Sequence, residues 1–321
     1  WIALLGFSLF FFVKSTGWQI LVYLMIAVIA TTLSVVGIIQ FRRQEMEVAA
    51  RAAMLVGVVS NITVLALLKY ANFFISNFNV IRRMVNLNAP TMPLLVFSSP
   101  IGISFYTFIC IGYILDVYWR VAEGSGNVLK NALFIGYYPA LTSGPIYRWN
   151  EAWVQILGKH AFSYECVTSG IQRMMWGVFK KLVISSRAQV IVDAIYASPE
   201  AYGGLYVWIA AVLFNIQLYT DFSGCMDIVL GASECYGINL PENFRTPFFS
   251  RTVQEFWQRW HITLGAWMKN YVLYPILKSD FMVRLSERMR DALGKKNAKK
   301  VTAYIGMLVV WLLIGLWHGG E

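Results

Sequence analysis

Charge is scarce in this sequence, cysteine and histidine scarcer still, and each shortage removes a class of function. Charged residues make up 14% of the 321 and apolar residues 58%, where a soluble domain carries roughly a quarter charged. An integral membrane protein is expected, because several runs of about twenty mainly apolar residues are each long enough to cross a hydrocarbon core of ~30 Å. The four cysteines, Cys110, Cys166, Cys225 and Cys235, form no Cys-x-x-Cys pair, and the three histidines, His160, His261 and His318, lie far apart. No zinc site is expected from such spacing, and the thiols read as small buried apolar groups. The net charge of +10 comes without base-stacking motifs or a soluble basic domain. It reads as membrane topology and contact with anionic lipid, not as nucleic-acid binding.

The chain also lacks an opening methionine. It begins at Trp1 inside an apolar run and stops at Glu321 just after a glycine pair, so the expectation is a fragment lacking both ends of a longer protein, with no signal peptide to diagnose. Residues 1–321 read as a single polytopic membrane domain. In chain order, Trp1 to Val13 is part of one apolar segment and Trp18 to Gln40 a complete spanning candidate. Ala52 to about Phe74 is a third, with Asn61 and Lys69 as polar intruders. By the positive-inside rule the Arg42 to Arg51 loop is cytoplasmic.

From Leu94 the pattern changes. Pro100, Gly102 and Gly112 interrupt a run ending in Asp116 to Arg120, and Gly136, Pro139, Gly144 and Pro145 do the same between Leu129 and Trp149. Broken helices are expected here, either as turns near the interface or as loops lining a wet cavity, since lipid cannot satisfy free backbone groups. His160 reads as a solvated loop histidine. Helical candidates follow at Cys166 to Ser186 and Tyr206 to Tyr219. Beyond them Asp221, Asp227 and Glu234 are spaced so that a helix brings the last two to one side. Acids at membrane depth point either to function or to pairing with nearby arginines such as Arg245 and Arg251.

The stretch from Phe244 to Tyr274 concentrates cations, indole rings and one imidazole. Wound as one helix, it places Trp257, Trp260, His261, Leu264, Trp267, Met268 and Tyr271 on one face, with Gln258, Arg259, Lys269 and Asn270 largely elsewhere. That pattern predicts a helix at or just inside a membrane interface. Between Lys278 and Lys300 come eight Lys and Arg against three acids, which reads as a basic cytoplasmic loop. Val301 to Trp317 is then an apolar run of 17 residues, ~25 Å as a helix, that can end inside the bilayer with His318 buried at a break.

Seven segments carry a resemblance: Gly102 to Phe108 with Asp116 to Tyr118, Ser143 to Ile146, Asp221 to Gly224, Leu240 to Phe244, Phe256 to His261, and Gly315 to Gly319. They resemble the membrane-bound O-acyltransferase (MBOAT) family, in the bacterial branch of alginate O-acetylation and teichoic acid D-alanylation. The similarity covers about residues 95 to 320. It implies an all-α, multi-pass fold with broken or re-entrant helices and a central tunnel, in a bacterial cytoplasmic membrane. An acyl thioester donor, acetyl-CoA or an acyl carrier protein, would be delivered from the cytoplasm as co-substrate. An extracytoplasmic glycan or polyol, or a partner acetyltransferase, would accept the acyl group. By motif, His318 matches the family's catalytic histidine and His261 the second characteristic one. Asp221, Ser223, Asn243, Arg259, Trp260 and Trp317 are candidates to line the tunnel or site, and no bound cofactor or metal is implied.

The chemistry is consistent with that resemblance. Esterifying an alcohol with a thioester needs a base of pKa near the working pH, and imidazole, at ~6.5 unperturbed, fits. His318 is therefore either a general base or a membrane histidine that hydrogen-bonds neighbouring helices, and His261 is either catalytic or a structural, tunnel-lining donor. His261 is expected on the donor side and His318 nearer the acceptor, without forming one dyad. The acyl group is expected to be acetyl and the acceptor a cell-surface polysaccharide, with D-alanyl transfer to teichoic acid the alternative. A transporter or a non-catalytic scaffold would also account for broken helices and an aromatic interface segment. Against the transporter, the Phe256 to Tyr274 pattern has no second copy.

Overall fold

The computed structural model describes residues 1–85, 90–96 and 100–319. Among them no strand occurs, and the chain is a succession of helices: α1 (Ile2–Thr16), α2 (Trp18–Arg43), α3 (Glu47–Val85), α4 (Ile103–Tyr118), α5 (Val128–Ile135), α6 (Trp149–Leu157), α7 (Tyr164–Phe179), α8 (Ser186–Ala197), α9 (Gly204–Cys235), α10 (Val253–Arg259), α11 (Ile262–Met268) and α12 (Asp280–Gly319). Four of them, Ile20–Arg43 within α2, α3, α9 and α12, are long and apolar enough to cross a membrane. Their exposed faces carry residues such as Val22, Leu55, Trp208 and Leu312, as surfaces turned toward lipid should. Three short π-helical segments interrupt the α geometry, at Ala66–Tyr70 inside α3, Lys180–Ser185 after α7 and Lys269–Leu273 after α11.

The chain divides into two compact units. One comprises Trp1–Phe11 and Ala132–Thr263, the other Phe12–Asn131 and Leu264–Glu321.

In the first unit α7 and α9 approach to backbone contact at two levels. A methyl on Gly170 would stand 2.4 Å from the Gly231 carbonyl oxygen, and one on Gly177 would stand 2.5 Å from that of Gly224. Glycines seven residues apart on both helices repeat the contact after two turns, a pattern that lets helices pack without a hydrophobic drive between them. The same faces carry charge. Arg173 pairs with Asp227 at 3.1 Å and Glu242 at 2.7 Å, Lys180 with Asp227 at 2.5 Å, and Lys181 with Asp221 at 2.6 Å. Asp221 and Asp227 are thus paired by cations of α7 and the turn that follows it, not by Arg245 or Arg251. The positive residues that interrupt the Cys166 to Ser186 run were the signal for these partners.

In the second unit α2, α3 and α4 pack through small and polar side chains. Ser34 Oγ donates to the Ala53 carbonyl at 2.9 Å, and Asn61 Nδ2 donates to Thr31 Oγ1 at 3.2 Å. Asn61, a polar intruder in the sequence, is buried as an interhelical hydrogen bonder. Arg42 donates to the carbonyls of Val117 and Tyr118, which leave the C-terminal turn of α4.

Two expectations are corrected here. Gly112 does not break α4, which is one helix opened by Gly102 at φ 72°. Its bare surface instead admits the Trp267 indole, since an added methyl would meet Trp267 Nε1 at 3.3 Å. The remaining interruption expected near Leu94 falls partly on residues 97–99, outside the described residues. Nor is the 278–300 segment a loop. It is helical from Asp280, turns at Gly294 with φ 75° and ψ 154°, and re-enters helix before the apolar run. Lys, Arg, Leu, Met and Glu are good helix formers whatever their charge, and only glycine takes that backbone conformation readily. By contrast, the Leu129 to Trp149 stretch is broken as expected. Beyond α5 and a four-residue turn at Tyr138–Leu141, it runs through irregular, largely buried backbone to α6.

Because the α7–α9 contact is backbone against backbone, no rotamer change can relieve it. Gly177→Ala is therefore expected to destabilise the detergent-solubilised protein by about 1–3 kcal/mol, the usual range for overpacking. Gly203→Ala, where nothing lies within 4 Å, should leave the thermal unfolding curve unchanged.

Candidate active site

His261 lies in the first unit, at the point where the expected single interfacial helix is broken. α10 ends at Arg259, Trp260 is extended at φ −102° and ψ 127°, and His261 sits in left-handed backbone at φ 45°. Such a conformation is uncommon for a residue with a side chain and persists where surroundings over-determine it. They do so here. Arg245 N donates to the Arg259 carbonyl and Ile262 N to the Asn243 carbonyl, both at 3.0 Å, so the 243–245 segment pairs with the break. The fully buried Asn243 side chain completes the clamp. Its Oδ1 accepts from Thr263 N at 3.0 Å, Thr263 Oγ1 at 2.9 Å and His261 Nδ1 at 3.3 Å. α11 thus receives its N-terminal cap from a residue twenty positions upstream. The seven-residue face expected from Trp257 to Tyr271 does not exist as one surface.

This geometry sets the tautomer. A side-chain carbonyl oxygen only accepts, so the Nδ1 that faces it carries the proton and Nε2 carries the lone pair. The imidazole is buried, with the Phe222 ring edge-on at 4.8 Å. Phe222 stands between two other sequence candidates on α9. Asp221 is held by Lys181, and Ser223 Oγ accepts from Lys180 Nζ at 3.0 Å. The structure therefore brings Asn243, His261 and the 221–223 turn into one neighbourhood. Trp260 packs in an aromatic group, stacked on Phe256 at 5.6 Å and edge-on to Phe244 at 5.1 Å. Arg259 is engaged by Glu255 at 2.5 Å. Thr263 and Phe222, which shape the His261 pocket, were not singled out in the sequence. Only adjacency to His261 and Asp221 could have flagged them.

His318 and Trp317 lie in the second unit, in the last described turn of α12. The Trp317 indole packs on Phe105 and Phe108, each at 5.9 Å, and on the His318 ring at 4.4 Å. Its backbone carbonyl accepts from Lys69 Nζ at 3.0 Å. His318 is exposed, not buried as expected. Its neighbours along the helix, Gly315 and Gly319, bring no side chain beside it. The Gly320 half of the expected glycine break lies outside the described residues. His160, as expected of a loop histidine, is exposed and meets only the Gln155 carbonyl at 2.5 Å.

Comparison with known proteins extends what the geometry offers. Residues 120–321, which include both imidazoles, match the profile of MBOAT, the membrane-bound O-acyltransferase family. The chain belongs to this family. It is 32% identical over 272 residues to a probable alginate O-acetylase AlgI of Pseudomonas syringae pv. tomato, covering 85% of this chain and 48% of that protein. It is 29% identical over 295 residues to a peptidoglycan O-acetyltransferase of Helicobacter pylori, covering 84% and 52%. A teichoic acid D-alanyltransferase of Streptococcus thermophilus is 28% identical over 228 residues, covering 68% and 52%. The chain spans about half the length of the curated relatives it matches. As an MBOAT chain it presents two differently held imidazoles, one clamped at its own ring and buried, the other packed on the Trp317 indole.

Removing the clamp has a measurable cost. Asn243→Ala leaves Thr263 N–H, its hydroxyl and His261 Nδ1 without their acceptor in a buried site, which is expected to destabilise by about 1–3 kcal/mol or more. The exposed Asn215→Ala, whose side chain bonds only its own helix, should stay within about 0.5 kcal/mol of wild type in the same detergent melt.

Proposed function

We propose that the full-length protein is a membrane O-acyltransferase moving an acyl group, acetyl in the favoured form, from a cytoplasmic thioester to hydroxyls of a cell-surface polysaccharide. The observation that carries this reading is the MBOAT match over 120–321, which takes in both histidines. The names of relatives similar over some 85% of the chain favour a polysaccharide acceptor and acetyl transfer. D-alanyl transfer is the weaker reading, since those relatives match 68% of the chain at lower identity. All of these relatives are bacterial, and the cytoplasmic membrane is the compartment where a cytoplasmic thioester and an external glycan can meet through one protein.

In the proposed reaction the acceptor oxygen attacks the thioester carbonyl, its proton passes to an imidazole, the new C–O bond forms and the thiolate leaves. His318 is the base. It ends the apolar run that leads away from the basic 278–300 segment, whereas His261 precedes that segment. His261, with Nε2 as acceptor, is suited to receive an N–H or O–H of the donor on a tunnel's cytoplasmic side. Asp221, Ser223, Arg259, Trp260 and Trp317 remain candidate tunnel residues in this scheme, and Asn243 acts through His261. The donor is acetyl-CoA or an acyl carrier protein, and a partner acetyltransferase is an alternative first acceptor to the glycan itself.

The basic segments 42–51 and 278–300 are assigned to the cytoplasm. Lys69 follows Glu47, and Trp317 follows Lys295, by the same 22 residues, a rise of about 33 Å in each helix. The hydrogen bond between them supports a common starting side. Cysteines placed at Lys295 and Lys296 should resist an impermeant thiol reagent in intact cells and react once the cells are opened. Labelling from outside would reverse the orientation.

General-base catalysis is worth roughly 10²–10⁴ in rate. His318→Ala and His318→Gln should each lose that much acyl transfer in the full-length protein while reaching the membrane in normal amounts. Transfer by the Gln variant within a few-fold of wild type would make His318 a structural hydrogen bonder.

A further inference from the structure

Lys69 is the one charged residue between Arg51 and Arg82 in α3, roughly 27 Å and 20 Å along the helix from those neighbours. A lone lysine in so apolar a stretch of helix calls for a specific partner. The helix is also irregular there, because Lys69 lies in the π-helical turn Ala66–Tyr70, a geometry frequent at functional sites. Those two signals come from α3 alone, and the 120–321 family match does not reach it.

The destination of the ammonium gives them meaning. Nζ donates to the Trp317 carbonyl oxygen at 3.0 Å, and it stands 5.6 Å from the centre of the Trp317 indole and 5.6 Å from that of Tyr70. That carbonyl belongs to the peptide unit joining Trp317 to His318. Phe105 and Phe108 pack on the same indole. Backbone and ring immediately before His318 are therefore held from α3 and α4.

We propose that Lys69 is a positioning residue for His318: its ammonium fixes the Trp317–His318 peptide unit so that the imidazole meets the acceptor in one orientation. The inference rests on the reading of His318 as the base, and its test separates the two. Lys69→Met keeps the length of the side chain in an apolar span but removes the donor and the charge. Lys69→Arg keeps both.

Each variant is made in the full-length protein and returned to cells lacking the native gene. Alkali-released acyl ester on the surface polysaccharide is measured per unit of membrane-inserted protein. In parallel, membranes with ¹⁵N-histidine give the His318 resonance, assigned by its loss in His318→Gln. The expected result for Lys69→Met is at least a tenfold loss of ester with a split or broadened His318 signal, both recovered in Lys69→Arg. Ester content within threefold of wild type, or an unchanged narrow His318 signal in the Met variant, would overturn the positioning role. If His318→Gln keeps its ester while Lys69→Met disorders the His318 resonance, the positioning stands and the base assignment falls.

Discussion

Backbone that leaves a helix away from water must find its hydrogen-bond partners in protein, and the irregular parts of this chain are arranged around that constraint. Asn243 Oδ1 takes the N–H that opens α11, and Thr263 Oγ1 donates upward to that oxygen while accepting Ile146 N from the broken 129–149 stretch at 3.0 Å. Trp267 Nε1 reaches the Phe108 carbonyl at 2.9 Å. Arg42 serves the carbonyls that close α4, and Lys69 serves Trp317 in α12. In each case a long or polar side chain from one element satisfies the backbone of another. The breaks that a membrane forbids in isolation become the places where elements are tied together.

The same economy governs charge. Asp227 faces two cations across the closest helix contact in the first unit, with Ser223 on one of them. Removing Asp227 would leave the buried Lys180 ammonium without its carboxylate, which is more costly than the pair is stabilising. The glycines at 170, 177, 224 and 231 bring the backbones near enough for these short ion pairs to form. The Lys180–Ser185 π turn lies immediately past the last glycine contact, so the irregular winding begins where the paired cations stand.

Much of this was legible in composition and spacing, because a membrane leaves few options for long apolar runs. The spanning helices, the broken 129–149 stretch and membership of the family follow from residues alone. What escaped the sequence was long-range. Amphipathic periodicity across 257–271 fits one helix well, and nothing local announces that Asn243 will draw His261 into left-handed backbone. Gly112 reads as a breaker until the indole that needs its bare surface is known. The basic 278–300 segment reads as a loop by charge, yet its residues favour helix and only Gly294 turns. Asp221 and Asp227 found their cations forty residues or more upstream, a separation that spacing rules for one helix do not reach.

The two imidazoles are held by opposite means, and this argues for a division of labour. His261 is gripped at its own ring: the Asn243 oxygen fixes Nδ1–H, the left-handed backbone fixes its exit vector, and Phe222 covers its edge. A ring so held keeps one tautomer and one orientation, which suits recognition of a donor that must arrive the same way in every cycle. His318 is gripped through its neighbour instead, by the bond to the Trp317 carbonyl and the packing of the Trp317 ring. A carbonyl acceptor at Nδ1 is compatible with both the neutral and the protonated ring, so the two holds differ in how each ring is oriented and not in whether its Nε2 can exchange a proton. In the proposed scheme, fixing the peptide before His318 sets the direction from which its ring meets the acceptor.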